Sequence, residues 1–237
     1  MTRLLYLDNF RGIAFILMII HHIFYFYDVS NNYSTSYASN MFIDNSGLIA
    51  RSIFIFLAGI SLSFITNKKQ DDIKNSNKKQ DDFKISLKKR LKRSLEIMMH
   101  AAIISLITYI FHPNLFVRFG ILHFIALTTF LLSFIAPYPK LALLLFVFSI
   151  FYTPPKINPF VDTITGASLH FNMMDWFPLK PWISIMLSGL IIGHNTNLTV
   201  FAPYFSANNI ITRIGQNSLE LYTAHVLLLI LVYSLKK

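Results

Sequence analysis

Apolar residues run along this chain in blocks, with neither the alternation of a strand nor the narrow stripe of a soluble helix. Seven blocks stand out, at about 9–27, 48–66, 94–111, 118–136, 140–153, 181–194 and 216–235. Polar connections separate them. From Ile13 to Tyr27 no residue carries a formal charge, and only His21 and His22 are ionisable. A helix over 9–27 would measure about 28 Å at about 1.5 Å per residue, close to the ~30 Å of a bilayer core. The pattern predicts an all-α fold, a polytopic transmembrane helix bundle of about seven spans. The 140–153 block is short, and Pro154-Pro155 closes it. The chain is expected to form a single integral membrane domain over 1–237, with a flexible cytoplasmic loop at 67–93.

Composition agrees with that class. Of 237 residues, 54% are hydrophobic, 23 are Phe and none is Cys, so disulfides, thiolate metal sites and a cysteine nucleophile are excluded. The net charge of +10 would point to nucleic acid if it were spread over a surface. Instead, 11 of the 21 Lys and Arg fall between Lys68 and Arg93. That loop holds a tandem decamer, Asn67–Ser76 repeated as Asn77–Ser86; two polar copies make a solvated spacer, not a stacking repeat. Nucleic acid is therefore not an expected partner, whereas membrane lipids are. Basic loops stay cytoplasmic, which places the N-terminus inside and residues 28–47 and 154–180 outside, in a multi-pass protein of the bacterial cytoplasmic-membrane type. Lys236 and Lys237 then lie outside, against the rule.

Ionisable residues inside apolar spans are costly, and a functional site is the default reading of them. Arg11 and His22 are 11 residues apart, close to three helical turns, so both fall on one face with His22 about 16 Å deeper. On the same topology Glu96 lies toward the cytoplasm and His225 near the middle. His22, Arg51 and His123 lie in the outer half, with Asp28, Asp44 and Asp175 at the outer boundary. Histidine suits general-base work near neutral pH. Structural readings stand beside each: His22 and His123 as helix–helix hydrogen bonds, His225, three residues after Tyr222, as a structural hydrogen bond, Glu96 and His100 as a mutually satisfied i,i+4 pair, His112 as a loop residue and His194 as a helix end. The basic run Lys88–Arg93 enters the third span directly, as anionic-lipid contacts do and as a phosphate cradle would. No spacing matches a metal-ligand motif, and no metal is expected.

Several segments, taken in order, resemble one family. Leu7-Asp8-Asn9-Phe10-Arg11-Gly12-Ile13-Ala14 with Met18 and His22 is similar to the opening of the heparan-α-glucosaminide N-acetyltransferase catalytic domain. The Arg11…His22 arrangement and Arg90-Leu91-Lys92-Arg93 resemble the related membrane acyltransferase-3 proteins. Residues 50–61, Phe119–His123, Asp175–Leu179 with Pro181-Trp182, and Ile214–Leu219 with Tyr222 and His225 extend the likeness over nearly the whole chain. The resemblance implies a membrane acyltransferase that moves acetyl from cytosolic acetyl-CoA, used as co-substrate, to an extracytoplasmic sugar or glycan. It implies His22 as catalytic base; beside that resemblance, the residues themselves make Asp28 and His123 further catalytic candidates, Asp28 or Asp175 binding the acceptor or orienting the imidazole. Arg11, Arg90 and Arg93 would contact the CoA phosphates, and Arg51, Asp175, Trp176 and His225 would meet the acceptor. Amine and hydroxyl acceptors both stay open, as does oligomeric state. The rival functions are a proton-coupled transporter and a non-catalytic membrane scaffold.

Overall fold

Apolar blocks in a chain without strand signals leave the backbone one way to satisfy its own hydrogen bonds in lipid, which is the helix. The computed structural model describes residues 5–31, 35–67, 76–195 and 209–234. Among them the regular elements are helical, apart from an isolated bridge between Phe119 and Trp176. They are α1 (Leu5–Ser30), a 3₁₀ turn (Tyr37–Ser39), α2 (Met41–Asn67), α3 (Ser76–Phe111), α4 (Ile121–Ser133) and α5 (Pro139–Phe151). After these come α6 (Pro159–Thr165), α7 (Leu179–Asn195), α8 (Ile210–Gln216) and α9 (Ser218–Ser234).

Each of the seven apolar blocks is a helix. Three helical stretches, Leu5–Ser30, Met41–Phe64 and Phe83–Phe111, are long and apolar enough to cross a membrane. The other four apolar helices, α4, α5, α7 and α9, have 13 to 17 residues, about 20–26 Å at the helical rise. Among the described residues, then, full-length spans number three beside four shorter apolar helices.

Two boundaries differ from the sequence expectation. Helix α2 begins at Met41, seven residues before its apolar block, because the Asn40 side chain accepts the Phe42 N–H at 3.1 Å and caps the first turn. Helix α3 begins at Ser76, so the latter part of the expected 67–93 loop is helical. Lys, Gln and Arg are good helix formers that need no buried face. Residues 68–75 lie outside the described residues. Elsewhere the local signals act as they should: Asn158 caps α6 ahead of Pro159, Gly166 ends it at φ 92°, and Asn209 caps α8. The first turn of α7 is broken at Lys180 (φ −94°, ψ 131°), the extended conformation that a following proline imposes.

The described residues group into two compact units. The first draws on Met1–Phe54, Ile103–Pro113 and Leu198–Lys237. In it α1 packs along α8 and α9. Glycines let backbones meet: a Cβ at Gly12 would overlap the Ile211 carbonyl oxygen, and one at Gly215 the Asp8 carbonyl oxygen.

The second unit draws on Ile55–Ala102 and Asn114–Asn197. Its α2 segment carries Gly59 and Ser63, four residues apart, and α7 carries Gly189 and Gly193 at the same spacing. Cβ atoms on these glycines would overlap Met186 O, Phe56 O and Ser63 Oγ, the small-residue crossing by which membrane helices approach closely. Helix α5, also against α7, buries only Ala142 and leaves Leu144 and Phe148 more than half exposed. A helix so apolar and so exposed suits lipid, not water.

Candidate active site

The strongest grouping of ionisable side chains lies in the first unit, on α1 and α9. His22 Nδ1 is 2.8 Å from His225 Nε2, across 203 residues of sequence. The ring planes differ by 13° with centroids 5.1 Å apart. His225 Nδ1 lies 3.2 Å from the Leu221 carbonyl oxygen one turn back on its own helix. Aromatic rings surround the pair: Phe15 edge-on to His225, Phe26 edge-on to His22, and Tyr222 against both. The His22 ring therefore faces α9 instead of standing alone in the lipid-facing surface of α1.

Consecutive residues on a helix point about 100° apart, so His21 faces elsewhere. Its Nδ1 sits 3.1 Å from the Ile43 carbonyl oxygen of α2 and its ring lies beside Tyr25. Gly47 makes room for it, since a Cβ there would come within 2.6 Å of His21 Nδ1. This contact was not anticipated from the sequence; the signal was a glycine near the start of the next helix. Arg51 on α2 lies 3.7 Å from Asp44.

At the start of α1, Arg11 Nη1 donates to Asp8 Oδ1 at 2.6 Å, and the carboxylate is 1% exposed while the Arg11 side chain is 26% exposed. Asp8 therefore fixes the base of the guanidinium and leaves it reachable. Asp28, at the other end of the helix, accepts from Thr35 Oγ1 at 2.6 Å and from the backbone N–H of Ala38 at 2.7 Å and Tyr37 at 3.2 Å. Its carboxylate is buried and anchors the 3₁₀ turn; no bond from it to an imidazole is among these. The structure thus brings His22 and His225 together in this unit, with Arg11 and Asp28 also on α1 and Arg51 on α2.

The remaining expected site residues belong to the second unit. His123 Nδ1 accepts the Gly120 N–H at 3.3 Å, and Asp175 Oδ2 accepts the Ile121 N–H at 3.0 Å. Both act on the N-terminus of α4, where unpaired N–H groups and the helix dipole favour them. Trp176 Nε1 donates to the Thr163 carbonyl at 2.8 Å, tying the Asp175–Leu179 segment to α6. Arg93 pairs with Glu96 at 2.9 Å on the exposed face of α3. Arg90 is different: its side chain is fully buried, Nη1 donates to Ser86 Oγ at 2.9 Å, and Nε and Nη2 find no partner among the described residues. A buried guanidinium with two idle donors is costly, and an anion would satisfy it.

The 154–180 connection holds one further cluster. Asp162, 3% exposed, accepts from Ile157 N–H at 2.7 Å and from His170 Nε2 at 2.8 Å, with Ser168 Oγ 2.6 Å from the same imidazole nitrogen. Serine and aspartate share one ring nitrogen, which is not a relay through two. The Ile157 amide, with His170, Asn158 and Ser168 adding to it, holds the Asp162 carboxyl below its ordinary value against the opposing effect of burial. A carboxyl depressed on folding stabilises the fold above its unfolded value of about 3.9, and that contribution is lost as pH falls through the lower folded value. Acidification below about pH 4 is expected to loosen the α6 segment and release Trp176, read as a change in tryptophan fluorescence. Asp162→Asn should show the released signal at neutral pH. An identical pH profile for both proteins would refute the assignment.

Among the described residues no three His, Asp or Glu side chains converge as a metal site requires. Comparison with known sequences gives one family match: the profile described as heparan-alpha-glucosaminide N-acetyltransferase, catalytic, covers residues 3–227. Nothing matches among curated proteins or among solved structures.

Proposed function

The chain belongs to the heparan-alpha-glucosaminide N-acetyltransferase catalytic family, and on that footing we propose that it transfers acetyl from cytosolic acetyl-CoA to an amine or hydroxyl of an extracytoplasmic sugar or glycan, with His22 as general base. In this reaction the His22 imidazole removes the acceptor's proton as its nitrogen or oxygen attacks the thioester carbonyl. The carbon–sulfur bond then breaks, and the imidazolium returns the proton to the CoA thiolate. Acetylation of His22 itself, followed by transfer, gives the same products.

One observation carries this reading: an ionisable ring in a 26-residue apolar helix is paired with a second imidazole inside an aromatic enclosure. Such a placement is expensive unless it is used. Arg11, braced by Asp8, is the first unit's candidate for CoA phosphate. In the second unit Arg90 and Arg93 carry the same proposal, Arg90 because its idle donors call for an anion. Arg51 is proposed to meet the acceptor, His225 to lie against the His22 Nδ1 edge, and Asp28 to hold the 3₁₀ turn after α1. Asp175, Trp176 and His123 are proposed to shape the second unit's acceptor-facing connection through the contacts at α4 and α6.

The test is purified protein in detergent with radiolabelled acetyl-CoA and a panel of amino sugars and glycans. Labelled product is expected from at least one acceptor. Acetyl-CoA at about a hundred times its dissociation constant should also add about 2.7 kcal/mol of stability, read as a rise in melting temperature that CoA-free buffer does not give. No product and no stabilisation would leave the scaffold reading in place.

A further inference from the structure

The imidazole pair has a direction. A backbone carbonyl oxygen can only accept, so the His225 nitrogen 3.2 Å from Leu221 O carries a hydrogen, and that nitrogen is Nδ1. A neutral imidazole holds one hydrogen and one lone pair, which puts the lone pair of His225 on Nε2. His22 Nδ1, 2.8 Å away, must then be the donor. His22 consequently keeps its lone pair on Nε2, the tip of the ring, in the tautomer opposite to the one histidine prefers in water. Near-parallel planes with centroids as far apart as 5.1 Å place the rings edge to edge along this N–H···N bond, not face to face.

We propose that His225 is a positioning residue for the transfer, fixing through Leu221 O which nitrogen of His22 is the base and sharing the positive charge that forms there. This rests on the acetyltransferase reading for its consequence and on geometry alone for its content. When His22 Nε2 takes the acceptor's proton, Nδ1–H remains donated to His225 Nε2, and the bond becomes charge-assisted. His225 thus does for His22 what the carboxylate does in a Ser-His-Asp triad, with a neutral lone pair in place of a negative charge. A neutral orienter suits this location, because a carboxylate inside an apolar helix bundle would add a second desolvation cost. Around the pair, α1 contributes His21, Phe15 and Phe26, and α9 contributes Tyr222. The charged and titratable groups that act on His22 are His225, His21 and Arg51 of α2, and the hydrogen bond at His22 Nδ1 is the one to His225 Nε2.

Two variants separate positioning from mere packing. In His225→Gln the amide oxygen can occupy the place of Nε2 and accept from His22 Nδ1–H; in His225→Leu nothing can. Nitrogen-15 NMR of histidine-labelled protein reads the tautomer without any knowledge of the acceptor, with His22→Gln supplying the assignment by loss of its signals. Wild type and His225→Gln are expected to show His22 with a hydrogen on Nδ1 and a bare Nε2, and His225→Leu to revert toward hydrogen on Nε2. In the acetyl-CoA assay, His225→Leu should lower kcat about 100-fold, while His225→Gln recovers to within about tenfold, both with little change in KM for acetyl-CoA. A wild-type His22 with its hydrogen on Nε2, or equal kcat for the two variants, overturns the proposal. The expected tautomer in a protein that transfers no acetyl would instead strike the enzyme reading and leave the tautomer assignment standing.

Discussion

His22→Gln is expected to lower acetyl transfer by about 10³-fold or more, toward the upper end of what a positioned general base contributes. Glutamine has similar reach, and its amide can still donate to His225 Nε2, so the contact between α1 and α9 survives. What it lacks is a lone pair basic enough to take the acceptor's proton. The loss should therefore fall on kcat, with KM for acetyl-CoA and the acetyl-CoA-induced rise in melting temperature nearly unchanged, as for a group that acts only in the transition state. His22→Ala is expected to lose activity as fully and stability as well, because it also deletes the hydrogen bond and leaves a gap against Phe26 and Tyr222. Steady-state kinetics beside thermal melts of both variants decides it. Wild-type turnover in His22→Gln would remove the ring from the chemistry and reduce it to a helix-packing residue.

The same histidine shows what the sequence carries and what it does not. His22 is conspicuous because it interrupts an uncharged run in which lipid tolerates no idle polar group. Its partner is not, since 203 residues separate His22 from His225 and nothing local in Tyr222–His225 specifies which helix will pack there. The seven apolar blocks read directly as helices because burial in lipid is a property of composition. The extensions of α2 back to Met41 and of α3 back to Ser76 did not, since Asp44–Gly47 interrupts the apolar pattern of the one and the largely polar start of the other gives no apolar period to follow. Carboxylates were legible as important but not as what they hold. Asp28 and Asp175 each accept backbone N–H groups at the start of a helical turn, and Asp8 steadies Arg11. Such roles depend on where a loop returns. Arg90 and Arg93 stand three residues apart in one basic run, yet one is fully buried and the other half exposed and paired with Glu96. Helix rotation, not charge, separates them.

Gly215→Ala is expected to be among the most destabilising single-methyl changes in the molecule. The new Cβ would overlap the Asp8 carbonyl oxygen and press on the Asp8 carbonyl carbon and Gly12 N, all of them backbone atoms of α1. A side chain in the way can rotate, whereas a helix backbone can only be displaced whole. Overpacking in a well-filled site costs about 1–3 kcal/mol, and this site belongs at or beyond the top of that range. The displacement would reach the chemistry, because Asp8 holds Arg11 and α1 carries His22. Gly12→Ala meets the Ile211 backbone across the same crossing, so once either methyl has parted α1 from α8 the second has less to disturb. The double variant should lose clearly less melting temperature than the sum of the single losses, the non-additivity of substitutions that share one contact. Additive losses would mean two independent sites, and an unchanged melting temperature for Gly215→Ala would mean that the helices do not cross this closely.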